Sequence, residues 1–170
     1  IPGNRNLSEE HRQQRIHSFF TPYRQALEMM LHRFKARDIV PARISIHSFT
    51  PEMAGFVRPW HCGVLWDKDP RIPLPVIRHF DAIDSVCIGD NEPYSGRHPH
   101  DFTIDFHAEA AGLPHAGFEV RQDLVAQPAG AREWAGILAD ALRPVLADPA
   151  LYRLLDEAGL PADAGSAVAS

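Results

Sequence analysis

Short apolar segments alternate with helical stripes along this chain, and the alternation constrains the fold more than any other feature of the sequence. Apolar patterns of strand length lie at 40–46, 62–66, 86–88 and 117–124. Helical patterns lie at 74–83, 103–111, 131–146 and 149–158. Strands that alternate with helices favour a largely parallel sheet covered on both faces. We therefore predict a layered α/β domain.

The first part of the chain carries its own helical stripe of apolar residues, from Ile16 to Phe34. Ser8 is followed by two acids, which predicts a helix start because acids are favoured at the positive end of the helix dipole. The dipeptide Thr21-Pro22 interrupts the stripe. We expect a kink or two successive helices, with Thr21 as the cap of the second.

Length and charge narrow the class of protein. The 170 residues fit one domain over 1–160, followed by a tail at 161–170 whose Ala, Gly and Ser content predicts disorder. The net charge is -5 and the basic residues are scattered, so we expect neither a nucleic-acid partner nor a membrane surface. The two cysteines, Cys62 and Cys87, lie in apolar segments and are interpreted as buried structural thiols. Such thiols are typical of a reducing compartment, which predicts a cytoplasmic location.

The chain opens on Ile1-Pro2-Gly3-Asn4, which has the character of the middle of a loop. We therefore expect the sequence to be the carboxyl-terminal part of a longer protein.

Polar residues follow or occupy several predicted strands. His47 and Ser48 stand where the first strand ends, at a place where open α/β sheets bind ligands, and histidine is the commonest metal ligand. Further polar groups lie in the loops and strand that come after it: Arg58, His61, Asp90, Asn91, Glu92, Tyr94, Glu119, Arg121 and Asp123. Three charges share one face of the last strand, so this strand lies either at a sheet edge or beside a polar cavity.

Structural interpretations of the same residues stay open. Arg58 could anchor a loop by stacking on the indole of Trp60. The segment Asn91 to Tyr94 could be only a turn. His98 and His100 form an HxH pair that could hold a metal or belong to an ordinary polar loop.

Several sequence blocks together resemble the N-formylglutamate amidohydrolase family. The blocks are Ser45-Ile46-His47-Ser48-Phe49-Thr50-Pro51, the stretch from Gly55 to Leu65, Gly89-Asp90-Asn91-Glu92-Pro93-Tyr94-Ser95-Gly96, Gly112-Leu113-Pro114-His115 and the stretch from Phe118 to Leu124. Their order and spacing match over most of the chain, from Pro2 to Trp134. The resemblance implies a zinc-carboxypeptidase-like, three-layer α/β/α fold that lacks its amino-terminal portion. It also implies cleavage of an amide bond beside a carboxylate-bearing group.

The resemblance implies roles for individual residues. His47 is similar in position to a zinc ligand, and Glu119 to the carboxylate that activates the metal-bound water and then protonates the leaving amine. Arg58 is similar to a clamp for a substrate carboxylate, which its planar fork suits. Three further residues match the substrate pocket: Asn91, Tyr94 and Arg121.

The chain also departs from the family pattern. The other metal ligands of the family lie in an amino-terminal segment that precedes residue 1, and Arg24 stands where members often carry a histidine. A catalytic zinc normally has three protein ligands, so we expect the 170-residue chain alone to bind zinc weakly and to be inactive.

These observations predict a zinc-dependent amidohydrolase that acts on an N-acyl amino acid such as N-formylglutamate. The alternative is a non-catalytic domain of the same fold that binds a small-molecule carboxylate. The acyl group, the amino acid and the oligomeric state stay open. We expect His47, Arg58, Asn91 and Glu119 to converge on one cleft at the carboxyl ends of neighbouring strands.

Overall fold

The computed structural model describes residues 4–97, 108 and 111–156. The chain divides into two compact units, Ile1–Ile39 and Val40–Ser170, which are described one at a time. Three predictions lie wholly or largely outside the described residues: the HxH pair at 98–100, the helix at 103–111 and the disordered tail at 161–170. The single domain over 1–160 stays a prediction.

The first unit is helical. It contains helix α1 (Glu9–Arg15), a π-helical segment (Ile16–Phe20) and helix α2 (Thr21–Lys35). The hydroxyl of Ser8 accepts a hydrogen bond from the His11 N–H at 3.3 Å, which confirms the predicted start. The prediction that Thr21 caps a second helix is wrong, because the backbone stays helical through that residue. The wider π-helical turn just before Pro22 takes the place of a break, since proline disturbs the turn that precedes it.

The second unit is built on a four-stranded sheet. Its strands and those of a small hairpin are β1 (Arg43–Phe49), β2 (Glu52–Met53), β3 (Phe56–Val57), β4 (Cys62–Leu65), β5 (Ile88–Asp90) and β6 (His115–Arg121). The sheet order is β1-β6-β4-β5. The pairs β1/β6 and β4/β5 are parallel, whereas β4 and β6 are antiparallel. The predicted α/β fold with a mostly parallel sheet is therefore confirmed, with one antiparallel pair.

Two helices, α3 (Pro73–Asp81) and α4 (Pro128–Leu146), contribute to the main core of this unit. Alternation along β6 places Phe118 and Val120 on one face of the sheet, and both are buried. They share a cluster with side chains of β4, α3 and α4, among them Cys62, Val64, Val76, Phe80, Trp134 and Leu138. Full burial of one such side chain contributes roughly 1.5–3 kcal/mol, so this face fixes the sheet against the helices.

The predicted helix at 149–158 is wrong as far as residue 156. Only a 3-10 turn forms there, Pro149–Leu151, with the Asp148 carboxylate accepting from the Ala150 N–H at 2.8 Å. The guanidinium of Arg71 binds the carbonyl oxygens of Leu151 and Arg153. Because these carbonyl groups bind a side chain from elsewhere in the fold, the local helical pattern is overridden.

The hairpin formed by β2 and β3 was not predicted. Its two-residue turn consists of Ala54 and Gly55, with φ angles of 52° and 81°. Two consecutive positive φ angles are typical of the tight turns that join antiparallel strands. Glycine adopts this conformation freely, whereas the Cβ of Ala54 is strained in it.

We expect Ala54→Gly to raise the free energy of unfolding. Relief of the left-handed strain exceeds the extra entropy of glycine in the unfolded chain, which leaves a gain of about 0.5–1 kcal/mol. Chemical denaturation measures the change. The matched control is Ala139→Gly, on the exposed side of α4, where the same substitution should destabilise by about 1 kcal/mol. Equal losses at both positions would contradict a strained Ala54.

The predicted burial of the two cysteines is confirmed for one of them and wrong for the other. Cys62 is fully buried, but Cys87 is exposed because it lies just before β5 and not within it. Among the residues that the structure describes, no helix combines the length and apolar character needed to cross a bilayer.

Candidate active site

The site is centred on Glu119 in β6. This strand lies between β1 and β4, so the sheet-edge interpretation of its charges is wrong. Glu119 is paired in register with His47 of β1, and paired residues present their side chains on the same face. Nδ1 of His47 lies 3.6 Å from Oε1 of Glu119. The Glu119 side chain is only 8% exposed, whereas the His47 side chain is 59% exposed. A buried carboxylate therefore meets a solvent-accessible imidazole.

Beside Glu119 the same face of the sheet carries glycines. Gly63 of β4 is in register with Glu119, and Gly89 of β5 is in register with Gly63. The segment that follows β5 folds back over them. A Cβ atom at Gly63 would come within 2.0 Å of the Glu92 carbonyl oxygen, and one at Gly89 within 2.7 Å of the same atom. The absence of side chains at these positions lets a loop lie directly against the sheet.

We expect Gly63→Ala to destabilise the protein by roughly 1–3 kcal/mol, because the new methyl group meets backbone that cannot move aside easily. Thermal unfolding measures the loss. The control is Gly136→Ala in α4, where a Cβ meets nothing within 4 Å and the protein should gain about 0.5–1 kcal/mol. A neutral Gly63→Ala variant would show that the loop is not packed against the sheet.

Arg58 lies near the carboxyl end of β1 and is only 6% exposed. Its Nη1 donates to the Thr50 carbonyl oxygen (3.2 Å), the Thr50 hydroxyl (3.3 Å) and the Tyr94 hydroxyl (3.3 Å). Its Nη2 contacts the sulfur of Met53 at 2.9 Å. The guanidinium carbon lies 5.1 Å from the centre of the Tyr94 ring and 5.7 Å from that of Phe49. All these partners are neutral.

The proposed stacking of Arg58 on Trp60 is wrong. The guanidinium stacks on Tyr94 and Phe49, while the Trp60 ring is tilted against Phe56 with the ring centres 6.3 Å apart. This exchange of partners has a physical consequence. An aromatic face attracts a cation without neutralising it, so the buried charge is held in place and stays available to an anion.

Within the part of the chain that the structure describes, no carboxylate lies within 4 Å of the Arg58 guanidinium. Burying an arginine without an opposite charge is costly. A thioether is also a weak acceptor, so the N–H groups of Nη2 are only weakly satisfied by Met53. Among the described residues, the buried Arg58 guanidinium is therefore held by neutral partners alone, an arrangement that is chemically able to accept an anion.

Arg58 and Glu119 belong to the same side of the sheet. Phe49, beneath the guanidinium, follows His47 by two residues and so shares its face, about 7 Å further along β1. The predicted convergence at the carboxyl ends of neighbouring strands is correct for β1 and β6. It is wrong for Asn91. Because β4 and β5 run antiparallel to β6, the carboxyl end of β5 lies beside the amino end of β6 and not beside its carboxyl end.

The two remaining predicted pocket residues bind within the fold. The Asn91 side chain bonds to the backbone N–H groups of Trp66 and Gly96. Arg121 donates to Asp123 at 2.8 Å, and its Nη1 lies 3.4 Å from the Trp60 carbonyl oxygen. The hydrogen bond from Arg121 lowers the pKa of the Asp123 carboxyl. Arg121 therefore pairs with Asp123 and not with Glu119.

The described residues decide which of two further kinds of chemistry this region could support, metal ligation or attack by a thiolate. Among residues 4–97, 108 and 111–156, no group of three or more His, Cys, Asp or Glu side chains could hold a metal ion. His47 and Glu119 supply two donors, fewer than the three of a catalytic zinc site, so the described residues alone do not fit that ion. Burial raises the pKa of the Cys62 thiol to about 12, so this cysteine is no thiolate nucleophile at neutral pH.

Sequence reasoning missed the residues that surround Arg58. Thr50 and Met53 lie in the hairpin region, and Phe49 is the last residue of β1. The signal that could have found them was the Ala54-Gly55 pair, because a glycine-containing turn between short β-prone segments predicts a hairpin. A hairpin brings Met53 back towards Arg58, which is only five residues away in sequence.

The family model for N-formylglutamate amidohydrolase matches residues 1–126. A similar solved structure is the crystal structure of gene product Atu2144 from Agrobacterium tumefaciens, with a TM-score of 0.79 and 28% sequence identity. The alignment covers 86% of this chain and 57% of that one, so the chain spans little more than half the length of this relative. No curated protein matches the chain significantly.

Fold and site together define an α/β protein in which a buried carboxylate meets an exposed imidazole, with a buried arginine on the same side of the sheet. The extent of the family match makes the assignment specific: the chain belongs to the N-formylglutamate amidohydrolase family.

Proposed function

We propose that the protein is an amidohydrolase that cleaves an N-acyl amino acid, with N-formylglutamate as the first substrate to test. The observation that carries the proposal is the placement of two complementary groups on one face of the sheet. A buried guanidinium with neutral partners is suited to a substrate carboxylate, and the Glu119–His47 pair is suited to a reacting amide. The family match supports the same reaction type.

Glu119 acts as the general base and acid in this proposal. Its carboxylate accepts a proton from the water whose oxygen attacks the acyl carbon. As the C–N bond breaks, the same group returns the proton to the departing nitrogen, so atoms and charge balance over the cycle. Burial at 6% exposure keeps bulk water away from this proton exchange.

Arg58 fixes the other end of the substrate. A guanidinium can donate two parallel N–H bonds to a carboxylate, which determines orientation as well as affinity. We propose that the carboxylate displaces the sulfur of Met53 from Nη2, because a charged oxygen is a far better acceptor than a thioether. The Tyr94 hydroxyl accepts from Nη1 and retains its own proton, so it can donate to the same carboxylate.

Zinc enters as a separate proposal. His47 is one candidate ligand, and a bound zinc ion would lower the pKa of a coordinated water towards ~7. Since the described residues do not complete the ligand set, no step above depends on the metal. A cytoplasmic location likewise stays a proposal.

The zinc proposal predicts weak binding by the isolated 170-residue chain. Among the described residues His47 is the one candidate ligand, and one ligand holds zinc less firmly than three do, so dialysis against metal-free buffer should remove the metal. Elemental analysis before and after dialysis measures the zinc content, with the His47→Ala variant as the control. Stoichiometric zinc that survives dialysis would contradict this ligand count.

The function is tested by incubating the whole gene product, supplied with zinc, with N-formyl-L-glutamate. Formate and free glutamate are followed by proton NMR. The proposal predicts many equivalents of both products per protein. Saturable binding of the substrate without product would instead favour the non-catalytic carboxylate-binding domain.

A further inference from the structure

The side chain of Asn91 links both ends of the segment Asn91–Gly96 to Trp66, the residue that follows β4. Oδ1 of Asn91 accepts from the backbone N–H of Trp66 at 3.1 Å and from the backbone N–H of Gly96 at 2.9 Å. Nδ2 of the same side chain donates to the Asp90 carboxylate at 3.2 Å. An asparagine carbonyl oxygen offers two lone pairs, so both are already used within the fold. The side chain of Asn91 is therefore a bridge between the two ends of the loop.

The backbone of Asn91 is suited to the same task. Its φ angle is 56°, a left-handed conformation that asparagine tolerates better than most residues. Its N–H donates to the Val64 carbonyl oxygen at 2.9 Å, which continues the β4–β5 pairing to the turn. A second contact strengthens the attachment, since the indole N–H of Trp66 donates to Asp90 at 2.7 Å.

Between the two fastened ends lies Tyr94. Its hydroxyl accepts from Arg58 and its ring lies 5.1 Å from the guanidinium carbon. Tyr94 is 41% exposed, so its position depends on how firmly the backbone on either side is held. The carboxyl end of β5 opens on the edge away from Arg58, and only the folded-back loop brings Tyr94 to that arginine.

We infer that Asn91 is a positioning residue, which acts on the substrate carboxylate through Tyr94 and Arg58 and does not touch it. This inference rests on the proposed function for its kinetic consequence. The sequence alone placed Asn91 in the substrate pocket, whereas the hydrogen bonds assign its polar atoms to Trp66, Gly96 and Asp90.

The test uses Asn91→Gly, which keeps the left-handed backbone available and removes the bridging side chain. Loss of the two bonds should raise amide hydrogen exchange at Trp66 and Gly96 and weaken nuclear Overhauser contacts between Tyr94 and Arg58. KM for N-formyl-L-glutamate should rise roughly 5- to 100-fold, with kcat changed less than about twofold, as expected when ground-state and transition-state binding are lost equally. Asn6→Gly is the matched control, because Asn6 also has a positive φ angle (59°) and lies in the helical unit.

A double-mutant cycle with Tyr94→Phe separates positioning from direct contact. If Asn91 acts through Tyr94, the effects of the two substitutions on KM should not be additive. The KM of the double variant should then lie within about twofold of the KM of the more impaired single variant. Full additivity would overturn the inference, as would unchanged exchange at Gly96 in Asn91→Gly. If the wild-type protein releases no formate, the proposed function fails, and the exchange and Overhauser measurements still decide whether Asn91 positions Tyr94.

Discussion

Glu119→Gln is expected to lower kcat for amide hydrolysis by roughly 10²–10⁴-fold, the usual contribution of a positioned acid–base group. Glutamine keeps the shape of the side chain and can still accept a hydrogen bond, but it cannot take up the proton of the attacking water. Because Glu119 is buried, a carboxylate ion from the buffer cannot reach its position and take over the proton transfer. Steady-state kinetics on the purified variant, with melting temperature and zinc content, measures the effect.

The control for this substitution is Glu133→Gln on the exposed side of α4, where neither activity nor melting temperature should change appreciably. A structural role for Glu119 would give a different pattern. If the carboxylate only pairs with the partly exposed His47, its replacement costs at most ~1 kcal/mol of stability and leaves turnover nearly intact. That result would contradict the assignment of Glu119 as the base.

Arg58→Leu is expected to lower kcat/KM for a carboxylate substrate by roughly 30- to 4,000-fold. Removing one partner of a buried, hydrogen-bonded charge pair costs about 2–5 kcal/mol, and each 1.4 kcal/mol corresponds to about tenfold. Arg58→Lys keeps the charge but loses the fork, so it should recover only part of the loss. Steady-state kinetics with N-formyl-L-glutamate measures kcat/KM of each variant relative to that of the wild-type protein.

The melting temperature of the Arg58→Leu variant distinguishes a loss of substrate binding from a loss of folded protein. The partners of Arg58 are neutral, so its replacement by an apolar residue leaves no opposite charge buried, and the melting temperature should change little. Arg143→Leu on α4 is the matched control, since its ion pair with Asp140 is exposed and contributes little. A large fall in melting temperature with unchanged kcat/KM would show that Arg58 is a structural anchor.

The core of the fold could be predicted from local patterns because alternation along a strand directly reports its buried face. The alternation that places the charged residues of this strand on one face leaves Phe118 and Val120 on the other, and both are buried in the cluster with side chains of α3 and α4. The position of β6 within the sheet could not be predicted, since strand order depends on contacts distant in sequence. For the same reason the charged face of Glu119 was compatible with an edge as well as with a cavity.

The failures near the site have a common cause. The side chain of Asn91 binds the backbone of Trp66, 25 residues earlier in the chain. The conformation after Pro149 depends on Arg71, which lies 80 residues before Leu151 and binds its carbonyl oxygen. Local propensity contains no information about such partners. The neutral environment of Arg58 was equally invisible, because it is assembled from β1, the β2–β3 hairpin and Tyr94.

The central claim is that a buried arginine selects the carboxylate of a substrate whose amide is cleaved beside Glu119. The most direct measurement compares kcat/KM of the wild-type protein for N-formyl-L-glutamate with that for the analogue in which both carboxylates are amides. We expect a ratio of at least roughly 30, since the analogue lacks the charged hydrogen bonds to Arg58. Equal values for the two compounds would contradict it.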